Sequence, residues 1–327
     1  MRNYLKESRM ETLNTSYSFH RQEYSSLRRH GLLVAACLLS NFLMQNVFVL
    51  SLRLFGLNEA FYTNASFQYA ASALFVTAGC LGVPFFFMSC RKGSLSYRRA
   101  LPFNFPEDKS KAFYLICAGF AFCLASNYLA VYFNAFLNDS GIGTVESDVV
   151  NSASGGDTFL NFLCAAVVAP LIEEFVFRGV IMQPLRRFGN VFAVIASALL
   201  FGLSHGGPSN IVFAFLCGVA LGFVVIASKS IWVGIAVHFL NNFYAVASYE
   251  LYNAFPSLGA LPQMVMGAVI FALGAGAVAA LLIRRELKLP RVNTTLSNGK
   301  RIRAFFINVP MLLTLAYLVA GMFSYIK

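Results

Sequence analysis

The most constraining feature of this sequence is a series of long apolar segments that recur along almost the whole chain. About 20 mostly apolar residues are enough to cross the hydrocarbon core of a bilayer as an α-helix. The sequence GGPSN at 206–210 forms a turn between two of the shorter segments. The pattern predicts an all-α protein, a polytopic transmembrane bundle of about eight or nine spans. The nine candidate segments are 32–52, 69–90, 112–136, 158–181, 190–205, 211–228, 231–252, 262–283 and 304–325.

The composition excludes most other classes of protein. Of the 327 residues, 58% are hydrophobic and 12% are charged, whereas soluble domains are nearer half apolar and a quarter charged. A water-soluble globule of this size cannot hide that much apolar surface, and intrinsic disorder requires the opposite composition. We therefore expect an integral membrane protein, and we see no segment that would form a separate soluble domain.

The lysines and arginines indicate the orientation of the chain. If the N-terminus is cytoplasmic, 22 of the 25 basic residues fall on the cytoplasmic side, as the positive-inside rule requires. The loop 138–157 carries four acidic residues and no basic one, as expected of an external loop. Topology and contact with anionic lipid headgroups explain the net charge of +11 without nucleic acid as a partner.

These patterns divide the chain into four parts. Because no eukaryotic sorting signal is visible, we expect the protein in a bacterial cell (inner) membrane. The four parts are a cytoplasmic basic tail at 1–30, N-terminal transmembrane helices at 31–157, a core at 158–252, and C-terminal transmembrane helices at 253–327 that include the basic loop 284–303.

Several costly polar side chains lie inside the apolar segments. An ionisable group at such a depth is by default a candidate functional residue. Glu174 and Arg178 are four residues apart, so they can pair on one helix face. Glu173 is rotated by about 100° from that face and has no local partner, which suits a general acid or base. The alternative is a helix end at the membrane surface, where both carboxylates simply face water.

Spacing brings further polar residues to the same depth. Glu173 lies 16 residues before Gly189 and His205 lies 16 residues after it. If Gly189 is at the turn of a helical hairpin, the two side chains lie at equal depth. His238 and Asn242 are four apart, so they share one face of a later helix. We therefore expect a carboxylate, two imidazoles and an amide to converge from three helices.

This set of side chains is suited to hydrolysis of an amide or an ester. A glutamate can take a proton from water, one histidine can orient that water, and the second histidine and the asparagine can donate hydrogen bonds to an oxyanion. Glu173, His205 and His238 also form a possible zinc-ligand set. The helical zinc motif HExxH is absent, so we favour a metal-free mechanism without a cofactor.

Three short motifs carry a resemblance to a known family. They are EEFVFR at 173–178, FGLSH at 201–205 and HFLNN at 238–242. In this order they resemble the EExxxR, FxxxH and HxxxN motifs of the CAAX protease and bacteriocin-processing family, the Abi-type intramembrane glutamic endopeptidases. The resemblance covers residues 158–252, which is less than a third of the chain.

The resemblance implies a helical membrane peptidase whose catalytic cavity lies inside the bilayer. It implies that Glu173 and His205 activate the water molecule and that His238 and Asn242 form the oxyanion site. It favours a mechanism without metal. The implied supporting positions are Glu174, Arg178 and Phe201.

The resemblance also implies the class of substrate, which is a peptide or a lipidated protein at the membrane. Members of the eukaryotic branch cleave prenylated CAAX proteins, and bacterial members are associated with bacteriocin or pheromone processing and with self-immunity. Two alternatives remain open at the level of sequence. One is a non-catalytic membrane adaptor or bacteriocin-immunity protein on the same scaffold, and the other is a zinc peptidase that uses the same residues.

Overall fold

The computed structural model describes residues 2–91, 101–144 and 158–326, with side chains from residue 18 onward. Within these ranges the chain forms helices and no strand, apart from an isolated β-bridge between Thr144 and Ile326. The predicted all-α bundle is confirmed. Its helices are α1 (Arg2–Leu54), α2 (Asn58–Thr63), α3 (Ala65–Cys90), α4 (Lys109–Asp139), α5 (Thr158–Phe188), α6 (Asn190–Leu203), α7 (Pro208–Ser228), α8 (Ile231–Ala254), α9 (Leu261–Ile283), α10 (Asn298–Phe306) and α11 (Val309–Phe323).

Among the described residues, seven helices are long and apolar enough to cross a membrane: α1, α3, α4, α5, α7, α8 and α9. The pair α10–α11 makes an eighth span if the two helices are counted together. This is an integral membrane protein, with seven or eight spans in place of the nine candidate segments.

Two of the nine candidate segments differ from the prediction. The segment 190–205 forms helix α6, which has 14 residues and a length of about 21 Å, too short for a hydrocarbon core of roughly 30 Å. The segment 304–325 is bent by 81° between α10 and α11. Asn308 accepts a hydrogen bond from the backbone N of Met311 and so caps a new helix at that point.

The second half of α5 lies at the centre of the bundle. Residues 176–185 of this helix are almost completely buried, and α6, α7 and α8 contact them. The large rings of Phe177, Phe188 and Phe201 belong to the same apolar core. Because buried neighbours surround this stretch on all sides, its polar groups must find partners within the protein.

Close approach of helices takes place within the molecule. A Cβ atom on Gly218 would lie 3.0 Å from Cα of Ala198, and one on Gly222 would lie 3.2 Å from Val194. Gly218 and Gly222, which form a GxxxG motif, therefore allow α7 to pack closely against α6.

Helix α1 joins the two ends of the chain. It contacts α10 and α11, and Glu23 accepts hydrogen bonds from Thr294 and Thr295.

The division of the chain into four parts stays a prediction. Residues 92–100 of the basic segment 91–111 and residues 145–157 of the acidic loop 138–157 lie outside the described residues.

Candidate active site

A tight turn between α5 and α6 sets the register of the site. Gly189 has a φ of 122°, which only glycine adopts readily, and it reverses the chain between the two helices. Ser197 Oγ donates to the carbonyl oxygen of Phe177 at 2.7 Å. The guanidinium of Arg178 lies 4.2 Å from the centre of the Phe201 ring. The predicted hairpin turn is confirmed, and α5 and α6 run antiparallel side by side.

The same register brings His205 into the neighbourhood of Glu173. The ring of Phe201 lies beside both histidine rings, and His238 Nε2 lies 3.8 Å from Glu173 Oε2. His205 lies just beyond the last residue of α6, in the turn that leads to Gly206 and α7. The structure therefore brings Glu173 and both histidines into one neighbourhood, as the sequence spacing predicted.

Glu174 and Arg178 form a completely buried ion pair. Glu174 Oε1 lies 2.9 Å from Arg178 Nη1, and both side chains have 0% exposure. The predicted pairing on one helix face is confirmed. The same oxygen also lies 2.9 Å from His238 Nδ1, a contact that sequence spacing did not reveal.

His238 connects the two adjacent carboxylates. Its Nδ1 faces Glu174, and its Nε2 lies 3.8 Å from Glu173 Oε2. Since a carboxylate accepts hydrogen bonds, Nδ1 carries a proton. Glu173 keeps 20% of its side-chain surface exposed, whereas Glu174 keeps none. Glu173 is therefore the carboxylate that a substrate or a water molecule can reach.

A glycine on α8 makes room for the buried carboxylate. A Cβ atom on Gly234 would lie 3.1 Å from Glu174 Oε2 and 2.5 Å from Cγ2 of Val225. Gly234 is one helical turn before His238, on the same face. The sequence analysis missed this residue, although a glycine four positions before the histidine in IWVGIAVH is the available signal.

Phe201 lies at the centre of the polar group. Its ring centre lies 4.5 Å from that of His205 and 5.8 Å from that of His238. Its carbonyl oxygen lies 2.7 Å from His205 Nδ1. Because a carbonyl can only accept, Nδ1 of His205 carries the proton and Nε2 is the nitrogen that accepts a hydrogen bond in the neutral ring.

Asn242 lies one helical turn beyond His238 on α8. Its Nδ2 donates to the carbonyl oxygen of Ala165 at 2.8 Å, and its Oδ1 accepts from Asn241 at 3.2 Å. Further along the same pair of helices, Thr158 donates to Glu250 at 2.9 Å. These contacts fix α8 antiparallel to α5 and hold the Asn242 amide against the first half of α5.

The described side chains do not form a metal centre. Within residues 18–91, 101–144 and 158–326, no group of three or more histidine, cysteine, aspartate or glutamate side chains has the arrangement of a metal site. Glu173, His205 and His238 are neighbours, but they are not gathered as the ligands of one ion.

Two contacts from the C-terminal part of the chain support the site, and the sequence analysis missed both. Arg301 Nη1 donates to the carbonyl oxygen of Phe188 at 2.8 Å, beside the hairpin turn. The ring of Tyr325 covers the turn after His205, where a Cβ atom on Gly206 would lie 3.0 Å from the ring. The spacing of residues along the sequence could not predict either contact, since each joins residues more than 100 positions apart.

The fold and the site define an integral membrane protein with a buried cluster of carboxylates and histidines between α5, α6 and α8. Residues 155–244 match the family model described as Rce1-like, Type II CAAX prenyl endopeptidase Rce1-like. This segment contains all three motifs, so the resemblance found in the sequence is confirmed over it.

Two curated proteins are similar to the same part of the chain. YdiL of Bacillus subtilis (strain 168), named as a candidate membrane peptidase, is 30% identical over 88 residues, which are 27% of this chain and 36% of that protein. The membrane-embedded CAAX protease MroQ of Staphylococcus aureus (strain USA300) is 32% identical over 95 residues, which are 27% of this chain and 38% of that protein. The chain thus spans just over a third of the length of these relatives. No solved structure gives a significant match.

Proposed function

We propose that this protein is a membrane-embedded endopeptidase that hydrolyses a peptide bond in a membrane-associated or lipidated peptide or protein. The observation that carries the proposal is the position of His238 between Glu173 and Glu174. Glu173 is partly exposed and lies beside His238, and the buried Glu174 holds His238 in place. Such an arrangement can accept and donate a proton at a fixed position. The match to a CAAX endopeptidase family model supports the same activity.

The charges of the cluster support a catalytic arrangement. Each ring nitrogen of His238 faces a carboxylate, so we assign a proton to both of them, and the positive ring together with Arg178 then balances the charges of Glu173 and Glu174. The cluster is then neutral as a whole, which lowers the cost of burying it. In that state Nε2 of His238 is a hydrogen-bond donor directed at the space beside Glu173.

We assign the activation of water to Glu173 and His205. Nε2 of His205 accepts a hydrogen bond from the water molecule and orients it, and Glu173 takes the proton as the water oxygen attacks the carbonyl carbon of the substrate. Glu173 then returns the proton to the nitrogen of the leaving amine as the C–N bond breaks. No covalent enzyme intermediate is required.

We assign the oxyanion site to His238 and Asn242. Nε2–H of His238 and the second N–H of the Asn242 amide are the available donors on one face of α8. Their positions are fixed in advance, by Glu174 for the histidine and by the Ala165 carbonyl for the asparagine. Donors fixed before the reaction stabilise a developing negative charge most effectively.

We propose that the reaction does not use a metal ion. The observation that supports this proposal is that Glu173, His205 and His238 lack the arrangement of ligands around one ion. We further propose that the N-terminus is cytoplasmic, on the basis of the positive-inside distribution of the basic residues. We also propose that the membrane is a bacterial cell membrane, as both curated relatives are from bacteria.

The test compares peptide termini in membranes from four strains. One strain lacks the protein, and the others carry the wild type, Glu173→Gln or Glu250→Gln. Glu250 is the matched control because it lies on α8 and bonds to Thr158, away from the cluster. We expect a set of new termini in the wild type and in Glu250→Gln, and none in the other two strains.

The same strains separate the alternatives. Wild-type termini in the Glu173→Gln strain would overturn the proposal and favour a non-catalytic adaptor or immunity protein. Loss of cleavage by the purified wild type on chelation, with recovery on addition of zinc, would favour the zinc peptidase.

A further inference from the structure

A basic cavity lies at one end of the bundle, away from the Glu173 site. It has a volume of about 670 Å³ and lies between the first described side chains of α1 and the last turn of α5. Arg21 and Arg29 line it from α1, and Arg187 lines it from α5. The side chains of Arg187 and Ser26 are hydrogen-bonded to each other and join the two helices at this point.

The charges of the cavity favour an anion. Among the residues that the structure describes, three guanidinium groups and one carboxylate, that of Glu23, line the cavity. Glu23 Oε2 already accepts from the Thr295 backbone N at 3.0 Å and from Thr294 Oγ1 at 3.3 Å. The carboxylate is therefore directed to the segment before α10, and the described part of the lining carries a formal excess of two positive charges. Guanidinium forks combined with serine hydroxyls are the groups that bind phosphate oxygens.

The position of the cavity corresponds to the surface of the membrane. In α1 the continuous apolar sequence begins at about residue 31, immediately after Arg29. Arg187 lies next to the last residue of α5, which is also the end of a span. Lys300 of α10 lies 3.0 Å from His20 and adds positive charge beside the cavity. Phe19, which is 58% exposed, provides an apolar wall.

From these observations we propose that the cavity between α1 and Arg187 binds a phosphate group, either that of an anionic phospholipid headgroup or that of a free phosphorylated molecule. The guanidinium groups of Arg21, Arg29 and Arg187 contact the phosphate oxygens, and the hydroxyl groups of Ser25 and Ser26 complete the site. Phe19 contacts the apolar part of the ligand. This binding site is separate from the proposed peptidase site and does not depend on that activity.

The test measures ligand binding to the purified full-length chain in neutral detergent by native mass spectrometry. The probes are phosphatidylglycerol, diacylglycerol with the same acyl chains but no phosphate, and inorganic phosphate. The variants are Arg21→Gln/Arg29→Gln and the triple variant that adds Arg187→Gln. The control is Arg285→Gln/Lys288→Gln/Arg291→Gln, which removes three exposed positive charges outside the cavity.

We expect the wild type and the control to bind phosphatidylglycerol in preference to diacylglycerol. We expect the triple variant to bind phosphatidylglycerol at least about tenfold more weakly, since each basic group near the headgroups contributes to the attraction. The double variant is expected to show an intermediate loss. It keeps the contact between Arg187 and Ser26, so its folding is protected.

The probes also distinguish the two sources of the phosphate. Competition by millimolar inorganic phosphate supports a free phosphorylated ligand, and binding of the lipid without such competition supports a phospholipid headgroup. Equal binding of phosphatidylglycerol by the wild type and both cavity variants would overturn the proposal. An equal loss of binding in the control variant would also overturn it, because the attraction would then be non-specific.

Discussion

Gly234 leaves room for the Glu174 carboxylate at the interface between α8 and α5. A Cβ atom on Gly234 would lie 3.1 Å from Glu174 Oε2, and Glu174 Oε1 lies 2.9 Å from His238 Nδ1. The glycine thus allows the carboxylate to reach the histidine that faces Glu173. A Cβ atom at position 234 would also lie 2.5 Å from Cγ2 of Val225 on α7, so a side chain there displaces Val225, Glu174 or both.

We predict that Gly234→Ala reduces peptide cleavage by roughly 10- to 100-fold, because a displacement of about 1 Å at a catalytic group has that effect. The measurement is the rate of cleavage by purified protein. Gly276→Ala on α9 is the control, since a Cβ atom there has no neighbour within 4 Å. Equal rates for both variants would show that the contact between Gly234 and Glu174 has no role.

The two adjacent glutamates should differ in their effect on stability. Glu174→Gln leaves the buried Arg178 without its counter-charge, which costs roughly 3–5 kcal/mol. We therefore expect a clearly lower Tm in detergent for Glu174→Gln, and a Tm close to that of the wild type for Glu173→Gln. Similar Tm values for the two variants would contradict the assignment of a structural role to Glu174 and a chemical role to Glu173.

The hairpin turn provides a further prediction about stability. A Cβ atom on Gly189 would lie 2.7 Å from Arg301 Nη1, in addition to the strain of its φ of 122°. We expect Gly189→Ala to destabilise the protein by about 1–3 kcal/mol and to weaken the contact between Arg301 and Phe188. Gly141 also has a positive φ, of 80°, but a Cβ atom there would meet nothing within 4 Å. If Gly189→Ala lowers the Tm no more than Gly141→Ala does, the backbone strain alone, and not the contact with Arg301, explains the loss of stability.

Tyr325 should affect cleavage through the turn after His205. Its ring lies against Gly206 and Gly207, so we expect Tyr325→Ala to loosen this turn and to lower the cleavage rate about tenfold or more. Tyr325→Phe keeps the ring and should retain most of the rate. Equal losses for Phe and Ala would mean that the hydroxyl, and not the packing of the ring, is important.

Local spacing predicted much of this architecture. The apolar segments predicted the helical membrane bundle, the i,i+4 spacing predicted the ion pair between Glu174 and Arg178, and the symmetric spacing about Gly189 predicted the hairpin. Each of these depends on residues that are near in sequence or on a single turn. The geometry of a helix is sufficient to derive them.

The remaining features depend on how distant helices are rotated against each other. Sequence spacing places His238 inside a span, but it does not determine whether the ring meets Glu173, Glu174 or both. The contacts of Gly234 with Glu174 and of Tyr325 with Gly206 arise in the same way from tertiary packing. The roles of the site residues in catalysis stay predictions.

The central claim is that Glu173 and His205 act together on one water molecule, and a double-mutant cycle tests it most directly. The measurement is the cleavage rate of a peptide that contains a site found in the comparison of strains, for Glu173→Gln, His205→Ala and the double variant. We predict that each single variant loses at least about 1,000-fold and that the double variant is no slower than the slower single one, because groups that act as a unit are strongly non-additive. Losses that multiply in the double variant, or a single variant that cleaves at the wild-type rate, would contradict the account.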